Sequence, residues 1–333
     1  MNEDILSLRL RPKTLSDVFG QDSLIKSLRT QMTKSNIRAL MFVGASRCGK
    51  TTIARIIAAA VQCDHQKQWG DPCAACYDKS AQTITEINAS QFKGVDDAEK
   101  IADMAAYSPI AAKRRIIILD EAQQLSPQAQ NLLLKPFEDA PKTTIWIICT
   151  TAPEKIIAPL KNRCKTYKVD TLSVSEVSAF LEKAAKQTGY VKDTAKLAEA
   201  AVDMGVFAPG LLLNALENLQ AGMSTSEALR GLGEERSPEA YAICKVMIRG
   251  DWIGVRNGLK TFPADRSRLL RATVAGFLRS MLFNERDPKK AVMLSDRLLE
   301  VAGNNAPLDD AMMLNWMVGQ MYRITRAFRI AAK

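Results

Sequence analysis

The feature that most constrains the fold of this chain is a glycine-rich segment between a strand-like run and a helix-like run. Residues 39–43 (ALMFV) are uniformly apolar, as in a buried strand, and residues 51–61 repeat apolar positions at helical spacing. The segment between them, Gly44 to Thr51, fits the pattern G-x-x-x-x-G-K-[ST]. In such a loop, backbone N–H groups and the lysine bind phosphates, and the last hydroxyl binds Mg²⁺ at the start of a helix. The residues expected to contact a nucleotide are Gly44, Ala45, Ser46, Arg47, Cys48, Gly49, Lys50, Thr51 and Thr52.

The first half of the chain contains further apolar runs that predict a sheet. Residues 115–119 (RIIIL) and 144–149 (TIWIIC) are typical of buried strands, and residues 166–169 form a shorter candidate. Strands that are apolar throughout and separated by helices are typical of a parallel sheet. We therefore expect an α/β domain with helices on both faces of a parallel sheet.

Two adjacent acidic residues, Asp120 and Glu121, follow the second of these runs. An acid at the end of a strand can hold Mg²⁺ through water, and its neighbour can orient or activate an attacking water. The alternative is that the pair caps the next helix, where negative charge is favourable. The phosphate-binding loop upstream favours the first interpretation, with Thr51 and Asp120 as magnesium ligands.

After residue 170 the pattern becomes helical. Ser173 and Glu176 form a capping box at the start of one helix. The polar segment 231–238 (GLGEERSP) predicts a domain boundary, and amphipathic helices follow it. We expect three domains: residues 1–170, a small helical domain over 171–232 and a larger helical domain over 233–333.

Composition adds limits on partners and location. The chain has 46 Lys and Arg against 36 Asp and Glu, a net charge of +10, which suits a nucleic-acid partner or simply a solvated basic surface. Seven cysteines, an odd number, argue against a disulfide framework. Residues 1–4 (MNED) lack an apolar signal core and no run of 18 apolar residues occurs, so we expect a cytoplasmic protein without a membrane span.

Several motifs together closely resemble the AAA+ ATPase subunits of sliding-clamp loaders, over about residues 8–220. They are residues 10–21 (LRPKTLSDVFGQ), the phosphate-binding loop, residues 88–90 (NAS), residues 120–121 (DE) and residues 162–164 (NRC). The family includes the bacterial γ/τ subunits, the small subunits of replication factor C and their phage counterparts. The resemblance implies an AAA+ P-loop domain, a helical lid and an all-α collar. It also implies a pentameric ring with other clamp-loader subunits, which uses ATP and Mg²⁺ to place a sliding clamp on primer-template DNA.

The resemblance assigns roles to five further positions. Val18, Gly20 and Gln21 match the segment beside the adenine. Thr151 matches the sensor of the γ-phosphate, and Arg163 matches an arginine finger that acts on the ATP of a neighbouring subunit. With Lys50, Asp120 and Glu121, these last two residues complete the expected catalytic set.

Lys93 and Gln130 match two coupling positions of the replication factor C and phage branch. Lys93 matches a basic switch that restrains the catalytic glutamate, and Gln130 matches a glutamine that couples parts of the ring. The chain departs from the family at Leu213, where a second sensor arginine is usual. Either another residue contacts the γ-phosphate, or lid closure depends less on the nucleotide.

Three cysteines lie where the γ/τ subunits have a four-cysteine zinc module over residues 63–79: Cys63, Cys73 and Cys76. The fourth cysteine is replaced by Lys79, so His65 or Asp78 would have to supply the last ligand. We expect zinc at Cys63, His65, Cys73 and Cys76; the alternative is a loop with unrelated thiols.

Two other functions remain open at this stage. One is a structural, stator-like clamp-loader subunit with weak ATPase, which Leu213 favours and the intact Lys50 and Glu121 disfavour. The other is a different AAA+ DNA-remodelling motor, which Arg163 and the helical C-terminal region disfavour.

Overall fold

The computed structural model describes most of the chain in two compact units. The described residues are 5–34, 38–80, 84–91, 94–109, 112–190, 193–229, 232, 238–264, 267–285, 287–302 and 310–331. The first unit comprises Met1–Val202 and Phe207–Ala228, and the second comprises Asp203–Val206 and Leu229–Lys333.

The strands all belong to the first unit. They are β1 (Ala39–Val43), β2 (Ile84–Asn88), β3 (Arg115–Asp120), β4 (Thr144–Thr150) and β5 (Lys165–Lys168). The described helices up to Leu229 are α1 (Leu6–Arg9), α2 (Asp22–Lys34), α3 (Lys50–Gln62), α4 (Ala74–Ser80), α5 (Val95–Ala106), α6 (Pro127–Asp139), α7 (Ala158–Asn162), α8 (Val174–Thr188), α9 (Thr194–Asp203), α10 (Pro209–Gln220) and α11 (Thr225–Leu229). Those that follow are α12 (Pro238–Ile248), α13 (Trp252–Lys260), α14 (Ser267–Asn284), α15 (Pro288–Ala302) and α16 (Asp310–Ala331).

The sheet is parallel, with the order β2-β3-β4-β1-β5. Strand β4 lies between β1, which leads into the glycine-rich loop, and β3, which ends at Asp120. In register, Val43 pairs with Thr150 and Leu119 pairs with Ile148. The carboxyl ends of β1, β3 and β4 therefore meet at one edge of the sheet.

Alternating residues of the central strands fill two separate cores. Leu40, Phe42 and Ile118 face the core that contains Ile53 and Ile57 of α3. Met41, Ile117 and Leu119 face the opposite core, to which α5 and α6 contribute Ile101, Leu133 and Phe137. Because both faces are covered, each central strand is apolar throughout. The predicted α/β fold, with helices on both faces of a parallel sheet, is confirmed.

Strand β2 is the strand that the sequence analysis did not predict. It lies at the edge of the sheet, and only Ile87 of its residues is buried. Its Glu86 forms a bidentate ion pair with Arg55 of α3, with N–O distances of 2.7 Å. An edge strand that exposes alternate residues lacks the continuous apolar run that identified β1, β3 and β4.

The helices that follow the sheet are divided between the two compact units. Helices α8 and α10 belong to the same compact unit as the sheet. The Glu176 carboxylate accepts a hydrogen bond from the Ser173 N–H at 2.7 Å, which completes one half of the predicted capping box. The predicted boundary at residues 231–238 lies mostly outside the described residues, and the division into three domains stays a prediction.

The second unit is built from amphipathic helices around one core, with buried side chains from each of α12–α16. Its largest contributors include Met247, Val255, Leu278, Leu294 and Met317. Other apolar side chains of these helices are exposed: Ile253, Val292, Leu299, Met312 and Ile330. Among the described helices of the chain, none is long and apolar enough to cross a membrane.

Candidate functional site

The glycine-rich loop is fixed in place by its two outer glycines. The Gly44 N–H donates to the Thr150 carbonyl of β4 at 3.3 Å, and a Cβ at Gly44 would lie 2.2 Å from the Val169 carbonyl oxygen. Gly49 precedes α3 with φ +109°, a left-handed conformation that favours glycine. Both positions therefore need glycine, and the loop between them opens at the N-terminus of α3.

Lys50 and Thr51 at the start of α3 lie beside the predicted acids. Lys50 is 4% exposed, and its Nζ donates to the carbonyl oxygens of Gly44 (3.0 Å) and Ala45 (2.7 Å). The Thr51 hydroxyl donates to Oδ2 of Asp120 at 2.9 Å. Neighbouring ligands of an octahedral Mg²⁺, each about 2.1 Å from the metal, lie about 3 Å apart. The two groups therefore fit a shared magnesium ion.

The Asp120 carboxylate is partly withdrawn from solvent. Burial raises its pKa above the usual range, while hydrogen bonds from the Thr51 hydroxyl and the Glu121 N–H oppose the rise. A charged group in this environment is stabilised by a bound cation. The environment therefore suits a metal ligand better than a surface carboxylate.

A cavity of about 740 Å³ lies over the loop. Its wall combines the N-terminal segment, the loop and helices α8 and α10, all within the first unit. The predicted residues that line it are Val18, Ser46, Arg47, Cys48, Gly49, Lys50, Thr51, Thr52 and Glu121. Lys183 and Gln187 of α8 add polar groups to the wall, and Phe19 and Phe180 add aromatic ones. The volume and mixed lining suit a nucleotide.

Gly20 and Gln21, also predicted beside the adenine, support this wall without lining the cavity. Gly20 has φ +69°, and a Cβ there would lie 2.6 Å from the Leu172 side chain. The Gln21 amide is buried and pairs with the backbone of Asp170, donating to its carbonyl at 2.6 Å and accepting from its N–H at 3.3 Å. These contacts fix the chain around Val18.

Glu121 and Thr151 are brought together by Gln123, which the sequence analysis did not select. Glu121 lines the cavity, and Thr151 directly follows β4. The Gln123 amide donates to both side chains, at 2.9 Å to the Thr151 hydroxyl and at a shorter distance to the Glu121 carboxylate. The only sequence signal was the run 120–123 (DEAQ), which resembles a helicase motif and does not reveal these contacts.

Arg163 lies away from the cavity of its own chain. Its guanidinium donates to Glu138 of α6 through Nε (2.9 Å) and Nη2, and to the Pro159 carbonyl through Nη1 (2.7 Å). It is not among the lining residues of the cavity. In this structure, Arg163 therefore forms no part of the wall of the cavity in its own chain.

Gln130 is 1% exposed and joins two loops. Its Nε2 donates to the carbonyls of Leu125 (3.0 Å) and Lys155 (3.1 Å), and its Oε1 accepts from the Ile157 N–H (2.9 Å). It thus connects the segment after β3 to the segment that leads into α7 and Arg163. Lys93, the other predicted coupling residue, lies outside the described residues.

The position of the missing second sensor is occupied by an apolar side chain beside a loop arginine. Leu213 of α10 and Arg47 both line the cavity. Arg47 has φ +58°, and its carbonyl accepts a hydrogen bond from the Gly210 N–H at 3.1 Å. Its guanidinium donates to Asn214 Oδ1 when that amide is oriented to donate to the Gly210 carbonyl. The guanidinium of Arg47, from the glycine-rich loop, therefore lies against α10, where the family usually has an arginine of that helix itself.

The predicted metal ligands form a second cluster in the first unit. Ligand atoms of Cys63, His65, Cys73 and Cys76 all lie within 4.8 Å of one another. The sulfurs of Cys63 and Cys73 are 3.9 Å apart, and Cys76 Sγ is 3.7 Å from His65 Nδ1. In a tetrahedral zinc site with Zn–S bonds of about 2.3 Å, two sulfurs lie about 3.8 Å apart. The cluster therefore has the dimensions of a zinc site.

The thiols in this cluster differ in acidity. Burial opposes ionisation of Cys63, but hydrogen bonds from the backbone of Cys73 and His65 outweigh it and lower the pKa of that thiol. The thiols of Cys73 and Cys63 raise the pKa of Cys76 to about 12. A divalent cation would stabilise all these thiols as thiolates. The alternative fourth ligand, Asp78, instead pairs with Lys13 at 3.0 Å.

Comparison with known proteins agrees with the resemblance of the motifs. A family model described as DNA polymerase III, delta subunit matches residues 20–173. The DNA polymerase III subunit gamma/tau of Mycobacterium tuberculosis (strain ATCC 25618 / H37Rv) is 30% identical over 236 residues, which are 68% of this chain and 40% of the relative. The chain is therefore similar in sequence to DNA polymerase III gamma/tau subunits.

A second curated protein and a solved structure are also similar to parts of this chain. The DNA polymerase III subunit gamma of Buchnera aphidicola subsp. Schizaphis graminum is 28% identical to this chain over 265 residues, 75% of this chain and 72% of that protein. The solved structure of the Thermotoga maritima RuvB Holliday junction branch migration motor is 18% identical, with a TM-score of 0.47, and the match covers 72% of this chain and 79% of that one. The chain spans less than half the length of the first curated relatives that it matches, 40% for the mycobacterial protein.

Proposed function

We propose that this chain is an ATP-hydrolysing subunit of a DNA sliding-clamp loader. The observation that carries the proposal is the pairing of Thr51 with Asp120 beside Lys50, at the edge of a cavity that Glu121 also lines. This is the arrangement that a Mg²⁺·ATP-hydrolysing P-loop protein needs. Relatives named as DNA polymerase III gamma/tau and gamma subunits support replication as its setting.

Each residue of the site has a chemical role in this proposal. Lys50 neutralises charge on the β- and γ-phosphates, and Thr51 and Asp120 hold Mg²⁺ directly or through water. Glu121 activates the attacking water, and the Thr151 hydroxyl contacts the γ-phosphate. The remaining loop residues supply backbone N–H groups to the phosphates, and Val18 contacts the base.

Arg163 acts on a neighbouring subunit in this proposal. Its position outside the cavity of its own chain supports an action in trans. In other phosphoryl-transfer systems, a guanidinium that stabilises the transition state is worth about 10³–10⁵ in rate. The proposed partners are other clamp-loader subunits in a pentameric ring, a sliding clamp and primer-template DNA, in the cytoplasm.

The cysteine–histidine cluster holds zinc in this proposal. Three thiolates and one imidazole at tetrahedral separations are the usual ligands of structural zinc. The metal would tie the end of α3, at Cys63, to the start of α4 near Cys76. Its role is structural, since the cluster is complete with four protein ligands and leaves no position for a substrate.

A stator-like subunit with weak ATPase is the second candidate. Leu213 at the second-sensor position favours it. Against it, Arg47 offers the cavity a cation from the loop, and Lys50, Asp120 and Glu121 are all present. The curated relatives give no support to a different AAA+ motor.

Steady-state ATPase tests the proposal directly. The full chain is assayed with its partner subunits, with and without a sliding clamp and primed DNA. The proposal predicts hydrolysis that clamp and primed DNA together stimulate, and that Lys50→Ala abolishes. Lys196→Ala, on the exposed face of α9, is the matched control and retains the wild-type rate. Hydrolysis that is weak and unaffected by clamp and DNA supports the stator-like alternative.

A further inference from the structure

Gln123 occupies the short 3₁₀ turn Ala122–Gln124 that follows β3, and its side chain spans the gap to the end of β4. Its Oε1 accepts from the Thr150 hydroxyl at 2.8 Å and from the Thr151 N–H at 3.3 Å. Its Nε2 donates to the Thr151 hydroxyl at 2.9 Å and to the Glu121 carboxylate. One amide thus contacts the cavity-lining acid and both threonines at the end of the neighbouring strand.

The donors around this amide determine its orientation. A backbone N–H can only donate, so the Thr151 N–H requires the oxygen of the Gln123 amide to face β4. The amide nitrogen then faces Glu121, whose ionised carboxylate can only accept. A hydrogen bond to an ionised carboxylate is stronger than one between neutral groups. The Gln123 side chain therefore holds the Glu121 carboxylate in a position that depends on the end of β4.

The Thr151 hydroxyl accepts from Gln123 and, within the described part of the chain, donates to no other group. Its O–H group can therefore donate to an acceptor on a bound ligand. A phosphate oxygen is such an acceptor. Glu121 has φ +50°, a conformation that a non-glycine residue keeps only when surrounding contacts hold it. The bridge from Gln123 is one such contact.

We propose that Gln123 is a positioning residue for ATP hydrolysis, which aligns the Glu121 carboxylate with the γ-phosphate contact at Thr151. This inference rests on the proposed function, since it assigns Glu121 as the base and Thr151 as the sensor. A shift of Thr151 at the end of β4 moves the amide, and the amide moves the carboxylate. The sensing of the γ-phosphate and the activation of water are thereby joined through one side chain.

The decisive variant is Gln123→Glu, which keeps the size of the side chain and the oxygen that accepts from Thr150 and Thr151. It removes the donor to Glu121 and places a carboxylate there. Gln124→Glu is the matched control. Gln124 is the next residue of the same turn and is exposed, and its replacement by glutamate adds the same charge as Gln123→Glu. Each variant of the full chain is compared with wild type in steady-state hydrolysis of Mg·ATP over a range of ATP concentrations, with identical partner subunits, clamp and primed DNA.

The expected result is a fall in kcat of about 10- to 100-fold for Gln123→Glu, at or below the lower end of the roughly 10²–10⁴-fold that positioned acid–base groups contribute, because Glu121 itself is retained. The KM for ATP changes by less than about threefold, and Gln124→Glu behaves as wild type. In a chain that already carries Glu121→Gln, Gln123→Glu causes no further fall in kcat, since the side chains of Glu121 and Gln123 act as one unit. An unchanged kcat, or losses that multiply in the double variant, would overturn the inference.

Two further experiments distinguish a failure of this inference from misfolding of the variant and from a failure of the proposed function. If Gln123→Glu does not fold, Thr150→Val removes the hydroxyl that orients the amide and leaves both Glu121 and Gln123 in place. We then expect kcat to fall several-fold with ATP affinity retained, and an unchanged kcat overturns the inference. If Glu121→Gln itself leaves hydrolysis unchanged, the assignment of the base fails, and the inference fails with it. If Glu121→Gln stops hydrolysis while Gln123→Glu does not slow it, only the inference fails.

Discussion

Replacement of Gln130 by leucine tests how the catalytic edge of the sheet is connected to Arg163. The buried amide satisfies the Leu125 and Lys155 carbonyls and the Ile157 N–H. Leucine has a similar volume but none of these bonds. Lys155 is exposed, so its carbonyl can turn to water, whereas Leu125 is buried. Each buried polar group left without a partner costs about 1–3 kcal/mol, so we expect Gln130→Leu to destabilise the first unit by about 2–4 kcal/mol.

Urea denaturation followed by tryptophan fluorescence and circular dichroism measures this loss. With a urea m-value of about 1–3 kcal/mol/M, the midpoint should fall by roughly 1–2 M. Asn131→Leu is the control, because Asn131 is the next residue of α6 and its amide is exposed. That variant should stay within about 0.5 kcal/mol of wild type. A loss below 0.5 kcal/mol for Gln130→Leu, or equal losses for both variants, would refute the reasoning.

Three other predictions concern the nucleotide and metal sites. Lys50→Ala should lose Mg·ATP binding in a fluorescence titration, because its charge on the β- and γ-phosphates is not replaced; unchanged affinity contradicts the loop assignment. Arg163→Ala should retain ATP affinity but lose about 10³-fold or more of the stimulated turnover, and mixing with Lys50→Ala chains should restore part of it. No restoration would argue against action in trans. Elemental analysis should find one zinc per wild-type chain and a reduced content in His65→Ala, with Asp78→Ala as control; a folded, metal-free wild-type protein rejects the site.

The sheet and the phosphate-binding loop could be predicted because their signals are local. Continuous apolar runs gave β1, β3 and β4, since a strand covered on both faces has no polar side. The edge strand β5 was predicted only in part, at residues 166–169. The loop was recognisable because its glycines and Lys50 are needed at fixed spacing. Strand β2 was missed because an edge strand with an exposed Glu86 lacks the apolar run.

The contacts of the site could not be predicted, because they depend on which strand ends meet in space. Gln123 contacts Glu121 and Thr151 only because β4 lies between β1 and β3, a fact of strand order. For the same reason, Arg47 was expected only to supply backbone N–H groups, and its contact with Gly210 of α10 was not foreseen. The sequence analysis favoured His65 over Asp78 as the fourth metal ligand, and the described residues with clustered ligand atoms include His65, whereas Asp78 pairs with Lys13.

The side-chain roles of the site and the three-domain division remain predictions. The geometry brings Lys50, Thr51, Asp120 and Glu121 to one edge of the sheet, as expected. It gives Arg163 contacts with its own chain, chiefly Glu138, which assembly would have to break if the guanidinium is to reach a neighbour. This ion pair is largely exposed, and pairs of that kind contribute little stability, so it is a weak barrier to release.

The most direct test of the central claim is clamp loading itself. A labelled sliding clamp and nicked circular DNA are incubated with the full chain, its partner subunits and ATP, and the DNA is then separated from free protein by gel filtration. The account predicts that the clamp remains on the circular DNA, that linearisation of the DNA releases it, and that Glu121→Gln slows the turnover of the loader without preventing ATP binding. Retention of the clamp at the same level without ATP, or with Lys50→Ala in place of the wild-type chain, would contradict it.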